Sequence, residues 1–202
     1  MRYRPLGTSG LRVAQLFLGA MTFGEPDGAG APVEECARML DVYADAGGNV
    51  IDTAINYRGG ASEEILGELL AGRRDRFVLG SKYTVTRDRD DPNAAGNHRK
   101  NLRLSLETSL RRLRTDYLDI YWVHMWDRLT PVEETMAALD DQVRAGRVLS
   151  VGISGAPRGW PPGRTPWRSG GAGRLWRVCR SPTAWCSATS SVSCCRWPRR
   201  SA

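Results

Sequence analysis

Residues 48–57 read GNVIDTAINY, and this stretch decides the fold. Val50 and Ile51 close a short apolar run of the kind a buried parallel strand uses. Asp52 stands where that strand should end, and Tyr57 follows five residues later in a loop. A carboxylate at a strand's C-terminal end is costly unless it meets a cation or a ligand. The arrangement recurs further along. Phe77-Val78-Leu79-Gly80 runs into Lys82, and Leu118 to Val123 runs into His124. Three successive apolar strands thus bring ionisable side chains to one end of a sheet, the end at which a parallel α/β barrel builds its active site. The pattern predicts an enzyme.

Outward from this centre, βα units alternate. Residues 2–13 predict a small β-hairpin turned at Gly7 to Gly10, and Leu16 to Gly19 a first strand. A helix is expected from Pro32, with Val33, Cys36, Ala37, Leu40 and Tyr43/Ala44 inward, stopped at Gly47-Gly48. Ser62-Glu63-Glu64 opens a second helix. Asn97 to Leu113 predicts a third, with Leu102, Leu106, Leu110 and Leu113 on one side and Arg99, Lys100, Arg103 and Arg111 on the other. Thr130-Pro131-Val132-Glu133 reads as a capping box opening a fourth. Val148 to Ser154 is the fifth strand. The fold class is therefore α/β, of the (β/α)8 TIM-barrel type, truncated to about the first five βα units.

Composition divides the chain at residue 154. The formal charge of +7 suits a nucleic-acid binder, but its distribution does not: residues 1–154 hold 20 Lys+Arg against 22 Asp+Glu, and residues 155–202 hold nine Arg and no acid. That tail also carries five of the seven Trp, four of the five Cys and six of the eleven Pro, without helical or alternating periodicity. Cys179, Cys186, Cys194 and Cys195 lack paired spacing with His, so no metal site is read there. No apolar leader opens the chain and no run approaches membrane-spanning length, which predicts a cytoplasmic protein without a membrane partner. The oligomeric state is not legible.

Taken singly, the four side chains have plain readings: Asp52 or Tyr57 as a loop cap, Lys82 as a solvated strand end, His124 as a satisfied core histidine. Convergence on one rim changes this. An ammonium beside a phenol favours loss of the phenolic proton, and a carboxylate keeps that ammonium charged and oriented. Such a group is a general acid suited to a developing alkoxide.

RPLGTSGLRVAQLFLGAMTFG, GGNVIDTAINY, SEEILGELL and GSKY, followed by GNHRKNLRLSLETSLRRLRTDYLDIYWVHMWD and TPVEETMAALDDQVRAGRVLSVGIS, resemble the aldo-keto reductases over residues 1–154. The resemblance implies a (β/α)8 barrel that reduces small aldehydes and ketones with NADPH, or less often NADH. It implies Tyr57 as proton donor tuned by Lys82 and Asp52, and His124 orienting the substrate carbonyl. It also implies cofactor contacts from Met21, Asp52 and Ser154. Where the family has Asn or Asp after that serine, this chain has Gly155. An accessory, redox-sensing binding subunit without catalysis is the alternative reading.

From Gly155 onward the likeness stops, and the tail (155–202) reads as a low-order segment out of frame. A GC-rich encoding of residues 182–199, read one base earlier, yields YSLVQRDVERELLPMAA, a mixed-charge string of helical periodicity. Without later strands, the first and fifth strands are expected to present open parallel edges. Most of the grip on the dinucleotide would be missing, so little activity and weak NADPH binding are expected of the chain as written.

Overall fold

The computed structural model describes residues 1–7, 9–25 and 28–154, together with three short strands beyond them. A hairpin of β1 (Tyr3–Pro5) and β2 (Arg12–Ala14) opens the chain, pairing Tyr3 with Ala14 and Arg4 with Val13. Then follow β3 (Leu18–Gly19), α1 (Val33–Asp45), β4 (Val50–Asp52), α2 (Ala61–Leu69), β5 (Val78–Tyr83), α3 (Arg99–Arg112), β6 (Leu118–Val123), α4 (Val132–Arg144) and β7 (Val148–Ser154). Beyond them lie β8 (Trp167–Arg168), β9 (Leu175–Trp176) and β10 (Cys179–Ser181). The main sheet is parallel throughout, in the order β3-β4-β5-β6-β7-β10. Five βα-type strands in chain order with helices between them form the first part of a barrel, as the alternation predicts.

Side-chain alternation sorts the strands into two cores. Val50, Val78, Ile120 and Trp122 face the inner side, where Leu6 and Val13 of the hairpin close over them. Val50 and Val78 begin their strands, so the hairpin plugs the N-terminal end and leaves the C-terminal end for chemistry. Ile51, Leu79, Tyr121, Val123, Val151 and Ile153 face outward against Leu40, Leu66, Leu102, Leu106 and Leu139 of the helices. Leu102, Leu106 and Leu113 are fully buried, bearing out the predicted face of α3. Each such leucine contributes about 2 kcal/mol of transfer free energy.

Four details depart from expectation. The first strand is only Leu18–Gly19, because the Leu16 carbonyl accepts from the Tyr43 hydroxyl at 2.7 Å instead of joining the ladder. The capping box at Thr130 does not form. Pro131 occupies the cap position of α4 without a side-chain bond, and Thr130 Oγ1 donates to Asp127 at 2.7 Å. The Asp127 carboxylate is the stronger acceptor and draws the hydroxyl away from the helix end. The edge of the fifth strand is not left open: β10 runs along it, with Cys179, Arg180 and Ser181 opposite Gly152, Ile153 and Ser154. Unpaired N–H and C=O groups on a parallel edge are satisfied by the extended segment that returns to them. The tail, expected to be irregular, thus supplies three short strands, whereas the rest of residues 155–202, Gly155 included, lies outside the described residues. Among the described residues, no helix is long and apolar enough to cross a membrane, and no group of three or more His, Cys, Asp or Glu could hold a metal ion.

Candidate active site

The site follows from period two. With Val50 inward, Asp52 is inward; with Val78 inward, so are Gly80 and Lys82; with Ile120 inward, so are Trp122 and His124. Register brings them level. Lys82 pairs with Trp122 and Tyr83 with Val123, and the His124 N–H donates to the Tyr83 carbonyl at 3.1 Å.

Tyr57 arrives by a different route. After β4 the chain keeps bonding to β5, with the N–H groups of Thr53 and Ile55 donating to the carbonyls of Gly80 and Lys82 at 2.9 and 3.1 Å. A 3-10 turn over Tyr57–Gly60 then reverses the direction, closed by the Tyr57 N–H on the Ala54 carbonyl. The turn carries Arg58, Gly59 and Gly60 at positive φ. It sets the phenol over Lys82.

The geometry is tight. Lys82 is 3% exposed, and its Nζ donates to Asp52 Oδ2 at 2.5 Å, to the Thr53 carbonyl at 2.8 Å and to the Tyr57 hydroxyl at 3.2 Å. The same ammonium stands 4.8 Å from the centre of the Tyr57 ring. The Tyr57 and His124 rings meet edge to face, with centroids 5.9 Å apart and planes at 81°. Burial works against the Lys82 ammonium, yet Asp52 and Tyr57 outweigh it, and the amine titrates above its ordinary value. For His124, burial first and the Lys82 charge second push the pKa down to about 4, so the ring is neutral at pH 7. Its Nδ1 is buried without a hydrogen-bond partner. A neutral imidazole with a free ring nitrogen fits a ligand that brings its own polar atom.

The structure therefore brings Asp52, Tyr57, Lys82 and His124 together. Ser154 ends β7, on the inward side by the alternation that places Gly152 beneath Trp122. Met21 lies in the turn after β3 at the same end of the sheet, since the neighbouring Ala20 N–H donates to the Asp52 carbonyl. Among the described residues, the hydrogen bonds and ion pair of the cluster join Asp52, Thr53, Tyr57 and Lys82 and do not include Met21 or Ser154.

Sequence reasoning passed over Glu63 and Arg112. Glu63 reads as a first-turn acid of α2 but is fully buried, accepting from Ser81 Oγ at 2.6 Å and facing Arg112 Nη1 at 3.4 Å. The available signal was the polar stripe Asn101, Ser105, Ser109 and Arg112 at helical spacing, whose first three members are fully buried. Asn97 and Asp127 were also missed. The Asn97 N–H donates to Asp127 Oδ2 at 2.6 Å and the Asp127 N–H returns a bond to Asn97 Oδ1 at 2.8 Å, clasping the loops after β5 and β6.

Comparison with known proteins places the chain in a family. A family profile described as "Aldo/keto reductase family" matches residues 15–160. Norsolorinic acid reductase stcV of Emericella nidulans is 48% identical over 159 residues, covering 74% of this chain and 41% of that protein. Aryl-alcohol dehydrogenase [NADP(+)] of Phanerodontia chrysosporium is 39% identical over 171 residues, covering 77% and 44%. The solved aldo-keto reductase AKR11C1 from Bacillus halodurans, in its holo form, superposes with a TM-score of 0.69 at 30% identity, over 77% of this chain and 50% of that one. The chain thus spans less than half the length of the curated relatives it matches. On the evidence of its half-barrel, its rim of ionisable side chains and these likenesses, the chain belongs to the aldo/keto reductase family.

Proposed function

We propose that the chain carries the proton-donating half of an NADPH-dependent carbonyl reductase, with NADH as a second possible cofactor. The observation that carries the reading is the Lys82 ammonium, buried and held by Asp52, at 3.2 Å from the Tyr57 hydroxyl. The ammonium stabilises the phenolate left when Tyr57 gives its proton to the carbonyl oxygen. Asp52 keeps Lys82 charged through that step. Neutral His124 orients the carbonyl oxygen by a ring N–H without competing for the proton. The phenolate regains its proton from solvent.

The cofactor's fit is read from the donor set. Ser154 would hold the nicotinamide amide, Asp52 and Met21 would border the ring, and the unpartnered Nδ1 of His124 leaves a polar atom for a bound group. Bound NADPH would supply hydride to the carbonyl carbon. Weak binding of the dinucleotide and slow turnover are part of this proposal. Aromatic aldehydes and ketones are the proposed substrate class, because similar proteins carry the names norsolorinic acid reductase and aryl-alcohol dehydrogenase. Exposed Met21 and Met125, at the end of the sheet that bears the site, suit a flat apolar ligand.

A non-catalytic binding subunit is the competing reading. Incubation with benzaldehyde and NADPH deuterated at C4, followed by mass spectrometry, separates the two. Deuterium in the benzyl alcohol above the protein-free control supports the reductase; none supports the binding subunit.

A further inference from the structure

Ile55, two residues before Tyr57, is held from both sides. Its N–H donates to the Lys82 carbonyl at 3.1 Å, and its own carbonyl accepts from Arg112 Nη1 at 2.9 Å. Arg112 is the last residue of α3 and reaches the underside of the Tyr57 turn because Gly60 has no side chain. A Cβ on Gly60 would collide with the guanidinium, and at φ 106° the backbone there already favours glycine. Gly67 lets α2 approach α3 at the same level, since a Cβ there would strike the Arg112 carbonyl.

The guanidinium is anchored in turn. Glu63, fully buried at the start of α2, faces Arg112 Nη1 at 3.4 Å and accepts from Ser81 Oγ at 2.6 Å with its other oxygen. Ser81 directly precedes Lys82 in β5. One bracket therefore has an arm on the residue before Lys82 and an arm on the loop that carries Tyr57. It lies behind the sheet, on the helix side, so the inner mouth stays free for ligands.

We propose that Arg112, with Glu63 as its anchor, is a positioning residue that sets the approach of the Tyr57 hydroxyl to Lys82. It touches neither group and acts through the Ile55 carbonyl and the seat under Gly60. Its importance to function rests on the reading of Tyr57 as proton donor; the placement itself does not. An arginine suits the place because one nitrogen, Nη1, serves the Ile55 carbonyl and the Glu63 carboxylate while Nε, fixed in the same plane, faces Glu64 Oε1 at 3.6 Å.

The test uses His124 as a reporter, because the Tyr57 ring packs edge-on against it at 5.9 Å. In the full chain, NMR titration of the His124 ring is expected to give a pKa of about 4. Arg112→Lys frees the Tyr57 turn, opens the imidazole to water and moves that pKa at least about one unit toward the ordinary value. Arg111→Lys, on the exposed neighbour, leaves it in place. Thermal midpoints of both variants within a few degrees of the parent exclude a global cause. An unchanged His124 titration in folded Arg112→Lys overturns the proposal, while the proton-donor reading stands or falls separately on Tyr57→Phe. Should Arg112→Lys not fold, Glu63→Gln carries the same two outcomes. In the unmutated chain, slow exchange of the Arg112 side-chain N–H protons supports the bracket, and exchange as fast as that of Arg111 overturns it.

Discussion

The Lys82 ammonium lies 3.2 Å from the Tyr57 hydroxyl while bonded at 2.5 Å to Asp52, and the residue is 3% exposed. A buried ammonium survives only because two partners outweigh its desolvation. Lys82→Met strands the Asp52 carboxylate and is expected to cost about 3 kcal/mol in urea unfolding. Asp52→Asn in the same background should restore part of that loss. Additive single and double variants would show that the pair is not coupled.

The pH dependence follows from His124. Its folded pKa of about 4 lies below the unfolded value of about 6.5. The unfolded state therefore binds more protons between those values, and stability falls as pH drops through that window, by up to about 1.4 kcal/mol per pH unit. Above pH 6.5 this contribution is fully present. Urea unfolding from pH 7 to pH 4 should show the slope in the parent and its loss in His124→Gln.

Asp127 holds the other side of the mouth. Its oxygens accept from the N–H groups of Asn97, Leu129 and Thr130 and from Thr130 Oγ1, at 2.6 to 2.9 Å. Burial alone would raise its pKa, but the bonds from Thr130, Asn97 and Leu129 prevail and lower it. A depressed carboxylate adds stability above its unfolded pKa and loses it as pH falls through the folded one. Asp127→Ala should lower stability at pH 7 by about 3 kcal/mol, measured by urea unfolding, with much of the difference gone in strong acid.

Gly152 gives a packing test. Its missing Cβ leaves the place taken by the Trp122 ring, which also borders Gly80. Gly152→Ala forces the indole off its seat and is expected to cost about 2 kcal/mol, with a shift of Trp122 fluorescence. An unchanged melting temperature and emission would place the indole elsewhere.

The shift of frame expected after residue 154 is open to a direct check at the level of the gene. Nucleotide sequence around codons 155–157 from independent isolates should show a shift of frame. An intact in-frame tail in each isolate would remove that explanation.

The rim was legible because it is written in simple periods. Strand ends at Asp52, Lys82 and His124 follow apolar runs, and period two sends all three inward with Val50, Val78 and Ile120. Tyr57 was legible as a loop residue, but its seat over Lys82 depends on hydrogen bonds from Thr53 and Ile55 to β5 that continue past the strand. Glu63 was hidden because a first-turn acid and a buried bracket look alike until α2 and α3 are packed together. Thr130 looked like a cap because the competing acceptor, Asp127, becomes visible only when the loop closes on itself. The pairing of Cys179–Ser181 with β7 could not be read at all, since that tail segment carries no periodicity.

The proton-donor claim is tested most directly by single-turnover deuteride transfer from C4-deuterated NADPH to benzaldehyde, comparing the chain with Tyr57→Phe at saturating cofactor. The account predicts slow but measurable transfer by the chain and a loss of at least about 100-fold in the variant. Transfer that survives Tyr57→Phe undiminished, or none by the unmodified chain, would contradict it.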